Sequence, residues 1–151
     1  MKTYLLKKEI IIAAPLEKVW QFFSNPENLQ KITPPYMKFR IIKRPASMEI
    51  FDGMQIEYKV SPILNIPMKW VTSIKSVDWL KSFTDVQLKG PYALWEHTHT
   101  FESVPEGTLM HDQVKYALPL GIMGVWAHKL FVSRQLESIF QYRARKVSGL
   151  F

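Results

Sequence analysis

The sequence predicts an α+β protein: a curved antiparallel sheet of about seven strands, two short helices and one long C-terminal helix, together enclosing a cavity. Three observations carry this. Residues 37–118 form a train of period-two runs separated by very short turn signals. Residues 122–146 hold helical spacing with no proline to break it. The aromatic faces of the strands also carry polar groups, which a dry core does not accommodate unpaired.

The elements follow in order. Residues 3–13 read as a strand with Tyr4, Leu6, Ile10 and Ile12 on one face, interrupted by Lys8. Pro15 suits the first turn of a helix, and Val19, Trp20, Phe22 and Phe23 then recur at helical spacing. Asn25-Pro26-Glu27 reads as the cap and first turn of a second short helix carrying Leu29 and Ile32, which Pro34-Pro35 stops. Strands are expected at 37–43, 54–61, 67–78, 80–89, 92–103 and 108–118. Asp52-Gly53, Val77-Asp78-Trp79, Gly90-Pro91 and Pro105-Glu106-Gly107 supply turns between them. Strands so close in sequence must pair antiparallel, because a parallel crossover needs about a dozen residues or more.

Residues 122–146 are expected as one uninterrupted helix about 37 Å long at 1.5 Å per residue. A strand of 11 or 12 residues reaches about the same length, so the helix can lie along the full sheet. Ile122, Trp126, Leu130, Ser133, Leu136, Phe140 and Arg143 mark its expected packing face. The whole chain, residues 1–151, is expected to be a single domain, with no linker or repeat.

Composition narrows the function. The chain has 151 residues, 47% of them hydrophobic, with five Trp, six Tyr and nine Phe, which rules out a disordered chain. There is no cysteine, so neither disulfides nor thiolate metal sites exist. The opening MKTYLLKKEIII is a poor signal peptide, since Lys7, Lys8 and Glu9 split its apolar residues. No apolar stretch approaches the roughly 20 residues of a membrane span. A soluble, cytoplasmic protein is expected. The formal charge of +7 is dispersed apart from Arg143, Arg145 and Lys146, which suit a helix C-terminus, so no nucleic-acid partner is expected.

Alternation assigns strand faces. Lysine-bearing faces are expected outside, which turns Tyr58, Trp70, Thr72, Asp85, Gln87, Trp95, His97, His99, Asp112 and Tyr116 inward. An unpaired buried polar group costs about 2–7 kcal/mol, against a net domain stability of about 5–15 kcal/mol. These groups therefore either pair with one another or border a wet cavity of the kind that binds small ligands.

Several segments resemble one superfamily. Ala14-Pro15-Leu16-Glu17-Lys18-Val19-Trp20-Gln21-Phe22-Phe23 is similar to the opening of START-like, or SRPBCC, proteins. Asn25-Pro26-Glu27-Asn28-Leu29, Ile32-Thr33-Pro34-Pro35, Gly90-Pro91-Tyr92 and Trp95-Glu96-His97-Thr98-His99-Thr100-Phe101 resemble a bacterial ligand-binding subgroup within it. So do the runs from Asp112 to Pro119 and from Gln135 to Arg143. The resemblance covers essentially the whole chain. It implies the helix-grip fold and a cavity for lipids, polyketides or other hydrophobic molecules, in carriers, cyclases, dehydratases or partner-binding domains. Similar domains are sometimes fused to a nucleotide-sugar-epimerase-like domain linked to cell division. The present 151 residues contain no such domain, so that role gains little support.

His97 and His99 are the sharpest chemical feature: two residues apart on a strand, they point the same way, and imidazole exchanges protons near neutral pH. Asp112 or Asp85 could orient them, and Arg143 is a further possible partner for Asp112. The plain alternative is a satisfied structural network beside the cavity. His-x-His plus an aspartate could supply three metal ligands, but the pattern is common in strands, and neither metal nor cofactor is expected. No Ser-His-Asp, phosphate-loop or dinucleotide pattern occurs.

The leading expectation is non-catalytic binding of a small, mostly hydrophobic ligand. Tyr58, Trp70, Thr72, Asp85, Gln87, Trp95, His97, His99, Asp112, Tyr116 and Trp126 form the expected ligand-contacting set. The second is a cyclase- or dehydratase-like enzyme with His97 or His99 as base and Asp112 as orienting or acid group. The third is a partner-binding module using the long helix or the 122–127 junction.

Overall fold

Strand pairing follows chain order because the links are short. In the computed structural model, which describes residues 1–43, 47, 49–62 and 65–151, seven strands form one antiparallel sheet. They are β1 (Tyr4–Ile12), β2 (Arg40–Lys43), β3 (Gln55–Val60), β4 (Met68–Asp78), β5 (Ser82–Lys89), β6 (Leu94–Val104) and β7 (Gly107–Ala117). The order across the sheet is β1-β7-β6-β5-β4-β3-β2. The strands from β2 to β7 are sequential neighbours, and β1 closes on β7, so β1 and β2 are the two edges. The segment between them crosses from edge to edge and covers one end of the sheet.

That segment holds α1 (Leu16–Phe23), which begins after an extended Pro15. Val19 and Trp20 are its buried face. Trp20 meets Phe83 and Phe101 edge-on, with ring centroids 5.7 and 5.3 Å away, and so ties α1 to β5 and β6. The second short helix, Pro26–Ile32, is 3₁₀ rather than α. Asn25 caps it as expected, its side-chain oxygen accepting from the Glu27 N–H at 3.1 Å.

The strand expected from residue 37 begins only at Arg40. Pro35–Met37 forms a further 3₁₀ turn, and Lys38 is left-handed at φ 49°, which breaks the extended run. Lys8, the interruption on the inner face of β1, forms an ion pair with Glu137. The anomaly in the strand pattern is thus a tie from the edge strand to the C-terminal helix.

The C-terminal helix is continuous but not uniform. It runs through α2 (Ile122–Ala127), a π turn at His128–Val132, and α3 (Ser133–Leu150). A π turn admits one extra residue and rotates what precedes it. The expected packing face therefore holds in α3, where Leu136 and Phe140 are buried, and fails upstream. Ile122, Trp126 and Leu130 are 74%, 58% and 65% exposed. Met123, Ala127 and Phe131, each one residue further on, and Gly124 line the cavity instead, although Met123 and Phe131 remain partly open to solvent. Gly124 is essential to this approach: a Cβ there would collide with the Pro119 carbonyl oxygen.

Buried Val19, Ile32, Met54, Met110, Val114 and Val147 fill the space between sheet and helices. Among the described residues, no helix is long and apolar enough to cross a membrane.

Candidate functional site

The concave face of the sheet and the C-terminal helix do not close on each other completely. Between them lies a cavity of about 370 Å³, within the range that holds a small organic ligand. Its walls are mostly apolar, from Phe39 and Ile56 on the β2–β3 side to Leu136, Ile139 and Phe140 on α3. Trp70, Tyr92 and Trp95 form an aromatic cluster on one wall, with ring centroids 4.8–5.6 Å apart.

A polar cluster interrupts this lining, and cross-strand register creates it. Asp85 of β5 lies opposite His97 of β6, and His99 of β6 lies opposite Asp112 of β7. All share the inward face, so four groups from three adjacent strands meet. His97 Nε2 is 2.7 Å from Asp112 Oδ1, and His99 Nε2 is 3.1 Å from Asp85 Oδ2. His97 Nδ1 lies 3.8 Å from the same Asp85 oxygen. His99 Nδ1 is 3.0 Å from Asp112 Oδ1, but the angle is too poor for a hydrogen bond and this buried nitrogen has no hydrogen-bond partner. The Phe83 ring stacks on His99 with centroids 4.5 Å apart.

Charge follows from these contacts. Burial alone would raise the Asp112 carboxyl, but the hydrogen bond from His97 and the nearby His99 outweigh it and hold Asp112 well below the usual range. Asp85 is likewise lowered: burial opposes, and His99, His97 and Arg143 prevail. Burial depresses both imidazoles. At His97 it wins, with help from the charge of His99, and the ring stays neutral. At His99 the two carboxylates win and push it up to about 9. At neutral pH the cluster therefore holds two carboxylates, one imidazolium and one neutral imidazole. A neutral His97 that donates from Nε2 to Asp112 has its lone pair on Nδ1.

Two further polar atoms on the cavity wall lack a hydrogen-bond partner among the described residues. Trp70 Nε1 and Arg143 Nε are buried without a hydrogen bond. Both are donors and cannot accept. Arg143 reaches the cavity from α3, its guanidinium carbon 5.0 Å from the centre of the Phe140 ring.

Of the residues singled out from sequence, Tyr58, Trp70, Thr72, Asp85, Trp95, His97 and His99 border the cavity. The others do not. Asp112 sits behind the two imidazoles. Gln87 turns to the β5–β6 connection, where its amide bonds both the N–H and the carbonyl of Tyr92. Tyr116 is buried, but its hydroxyl meets His128 Nε2 at 2.7 Å beside the stacked Tyr4 ring. Burial raises the Tyr116 phenol to about 12, so it remains a hydroxyl. Trp126 is on the outer surface, in the part of the helix that precedes the π turn.

Most of the apolar wall lies outside the expected ligand set, and so do two residues beside its aromatic and polar clusters, Tyr92 and Arg143. Tyr92 opens the strand expected at 92–103 and belongs to the Gly90-Pro91-Tyr92 resemblance, but is not among the expected ligand contacts. Arg143 is expected on the helix packing face, in the basic C-terminal group and as a possible partner for Asp112, but not as a ligand contact. Its presence as a lone cation on a mostly apolar helix face was the available signal.

The family model for polyketide cyclase / dehydrase and lipid transport proteins matches residues 12–142. The chain belongs to this family. The SRPBCC, START-like helix-grip architecture agrees with it. Similar solved structures include a START superfamily protein from Mycobacterium smegmatis, 18% identical, with TM-score 0.71 over 97% of this chain and 99% of that one. Another is ginseng major latex-like protein 151 from Panax ginseng, 14% identical, with TM-score 0.70 over 98% and 97%. A nucleoside-diphosphate sugar epimerase from Corynebacterium glutamicum is 23% identical over 95% of this chain, with TM-score 0.68. This chain spans only 28% of that protein. At these identities the likeness is one of fold. Among curated proteins, none matches the sequence.

Proposed function

We propose that the protein binds a small, largely apolar molecule in the cavity without transforming it, and that the polar end of this ligand is a hydrogen-bond acceptor such as a carbonyl or carboxylate. One observation carries the reading: the cavity wall leaves Trp70 Nε1 and Arg143 Nε without partners, and both are donors. Leaving a buried donor unmade costs about 1–3 kcal/mol, which an accepting ligand would recover. The apolar walls would enclose the body of the ligand through ordinary hydrophobic burial. Membership of a family described by cyclases, dehydrases and lipid transport supports a ligand of this class.

Native mass spectrometry of protein purified from its own host, followed by denaturing extraction, tests this. A stoichiometric apolar acid or ketone is the expected result. Titration with a medium-chain fatty acid, the matching alcohol and the matching alkane then tests the acceptor requirement. The acid should bind tightest and lose about tenfold or more in Arg143→Gln. Equal binding of acid and alkane would contradict the reading.

One feature favours the cyclase- or dehydratase-like alternative. His97 borders the cavity with its Nδ1 lone pair available as a base. Turnover of a bound molecule that disappears in His97→Ala would establish it.

A further inference from the structure

The four ring nitrogens of His97 and His99 are divided in a particular way. Asp85 Oδ2 lies 3.1 Å from His99 Nε2 and 3.8 Å from His97 Nδ1. One ligand atom from each of Asp85, His97 and His99 lies within 4.8 Å of the others. Donors about 2.0–2.1 Å from a tetrahedral ion stand roughly 3.4 Å apart, so the observed spacings bracket what an ion requires. The remaining two nitrogens turn the other way, to one oxygen of Asp112, at 2.7 and 3.0 Å.

Metal-bound imidazoles nearly always give their second N–H to a carboxylate or carbonyl, which fixes the ring. Here one buried carboxylate stands behind both rings. Mutual pairing of four groups does not require that division; a metal site does. A second observation points the same way. His99 is 6% exposed, yet its Nδ1 has no hydrogen-bond partner. A cation taking Nε2 in place of its proton would leave Nδ1–H to donate to Asp112 after a small ring rotation.

The chemistry narrows the ion. Two imidazoles and one carboxylate are borderline donors that suit Zn²⁺, Fe²⁺ or Co²⁺ better than Mg²⁺ or Ca²⁺. Two carboxylates bring two negative charges, which a dication balances. Asp85, His97 and His99 all border the cavity, so three protein ligands would leave an open coordination position on the ligand side.

We propose that Asp85, His97 and His99 form a site for a divalent first-row transition metal, with Asp112 as its orienting outer carboxylate and an open position facing the cavity. The site stands on these donors alone and does not depend on which organic ligand the cavity takes.

Anomalous diffraction at the zinc edge tests it on the wild-type chain, stripped with chelator and reloaded with Zn²⁺. The expected result is one peak about 2.0–2.2 Å from Asp85 Oδ2, His97 Nδ1 and His99 Nε2. No peak there, or a peak only at a surface histidine such as His111, would overturn the proposal. Titration with Co²⁺, read by visible absorption, gives an independent measure in solution. Wild type should bind one equivalent, and Asp112→Asn should weaken binding by about 10–100-fold. Equal affinity in wild type and in folded Asp85→Asn would equally defeat the idea. The diffraction result stands even where a variant fails to fold.

Discussion

His97 Nε2 and Asp112 Oδ1 stand 2.7 Å apart across neighbouring strands, and both side chains are buried. Neither group would be tolerated there alone. Removing the carboxylate in Asp112→Ala strands one imidazolium and one imidazole in the core. A loss of about 3–5 kcal/mol is expected, read as the urea unfolding midpoint. Asp112→Asn keeps the shape and one acceptor and should cost less. Equal stability of wild type and Asp112→Ala would mean that the pair contributes nothing.

The charge of His99 sets a pH dependence. Its pKa is raised from 6.5 to about 9 between the carboxylates of Asp85 on β5 and Asp112 on β7. The stabilisation is fully present below pH 6.5 and is lost as pH rises through about 9, on the order of 3 kcal/mol. His97 has the opposite sign. Its pKa is depressed, so its contribution is lost as pH falls from 6.5 through its folded value. Metal-free wild type should therefore be most stable near neutrality and weaken toward pH 10. A His99→Gln variant should lack most of the alkaline loss, as thermal denaturation at pH 6.5, 8 and 10 would report.

Gly107 opens β7 at φ 138°, and a Cβ there would strike the Ile12 carbonyl oxygen. Backbone strain and overlap add, and Gly107→Ala should cost about 2 kcal/mol or more. The β1–β7 pairing beside it should exchange amide protons faster. Unchanged stability would show that this turn relaxes freely.

Trp126 offers a contrast. At 58% exposed, its replacement by Gln should change stability by about 0.5 kcal/mol or less and leave occupancy of the cavity unaltered. A large loss of ligand in Trp126→Gln would return this residue to the cavity wall.

Lys8 and Glu137 are 37% and 42% exposed on their side chains, so their ion pair is screened by solvent. Lys8→Met should therefore shift stability by about 1 kcal/mol or less. The effect should shrink further in high salt.

Much of the molecule was legible in its residues because strand and helix periods are local. Alternation in residues 92–103 placed His97 and His99 on one face with Trp95 and Phe101, and this needs nothing but the pleat. Proline pairs and Gly-containing turns marked where elements stop, since missing N–H groups and steric limits act within a few residues. Those short links forced β2 to β7 into an antiparallel order.

What alternation could not decide is what stands opposite what. The inward side of β6 was readable, but only pairing register brings Asp85 against His97 and His99 against Asp112. Register depends on partners far apart in sequence. The π turn at His128–Val132 was equally invisible, because nothing in the apolar spacing of residues 122–146 marks it. In the helix before it, Trp126 faces outward and Ala127 lines the cavity. Arg143 joined the site for the same kind of reason: the helix crosses the sheet where β5 and β6 carry their polar pair. Local periodicity therefore determined the elements and their faces, and packing between distant elements decided which of those faces became a site.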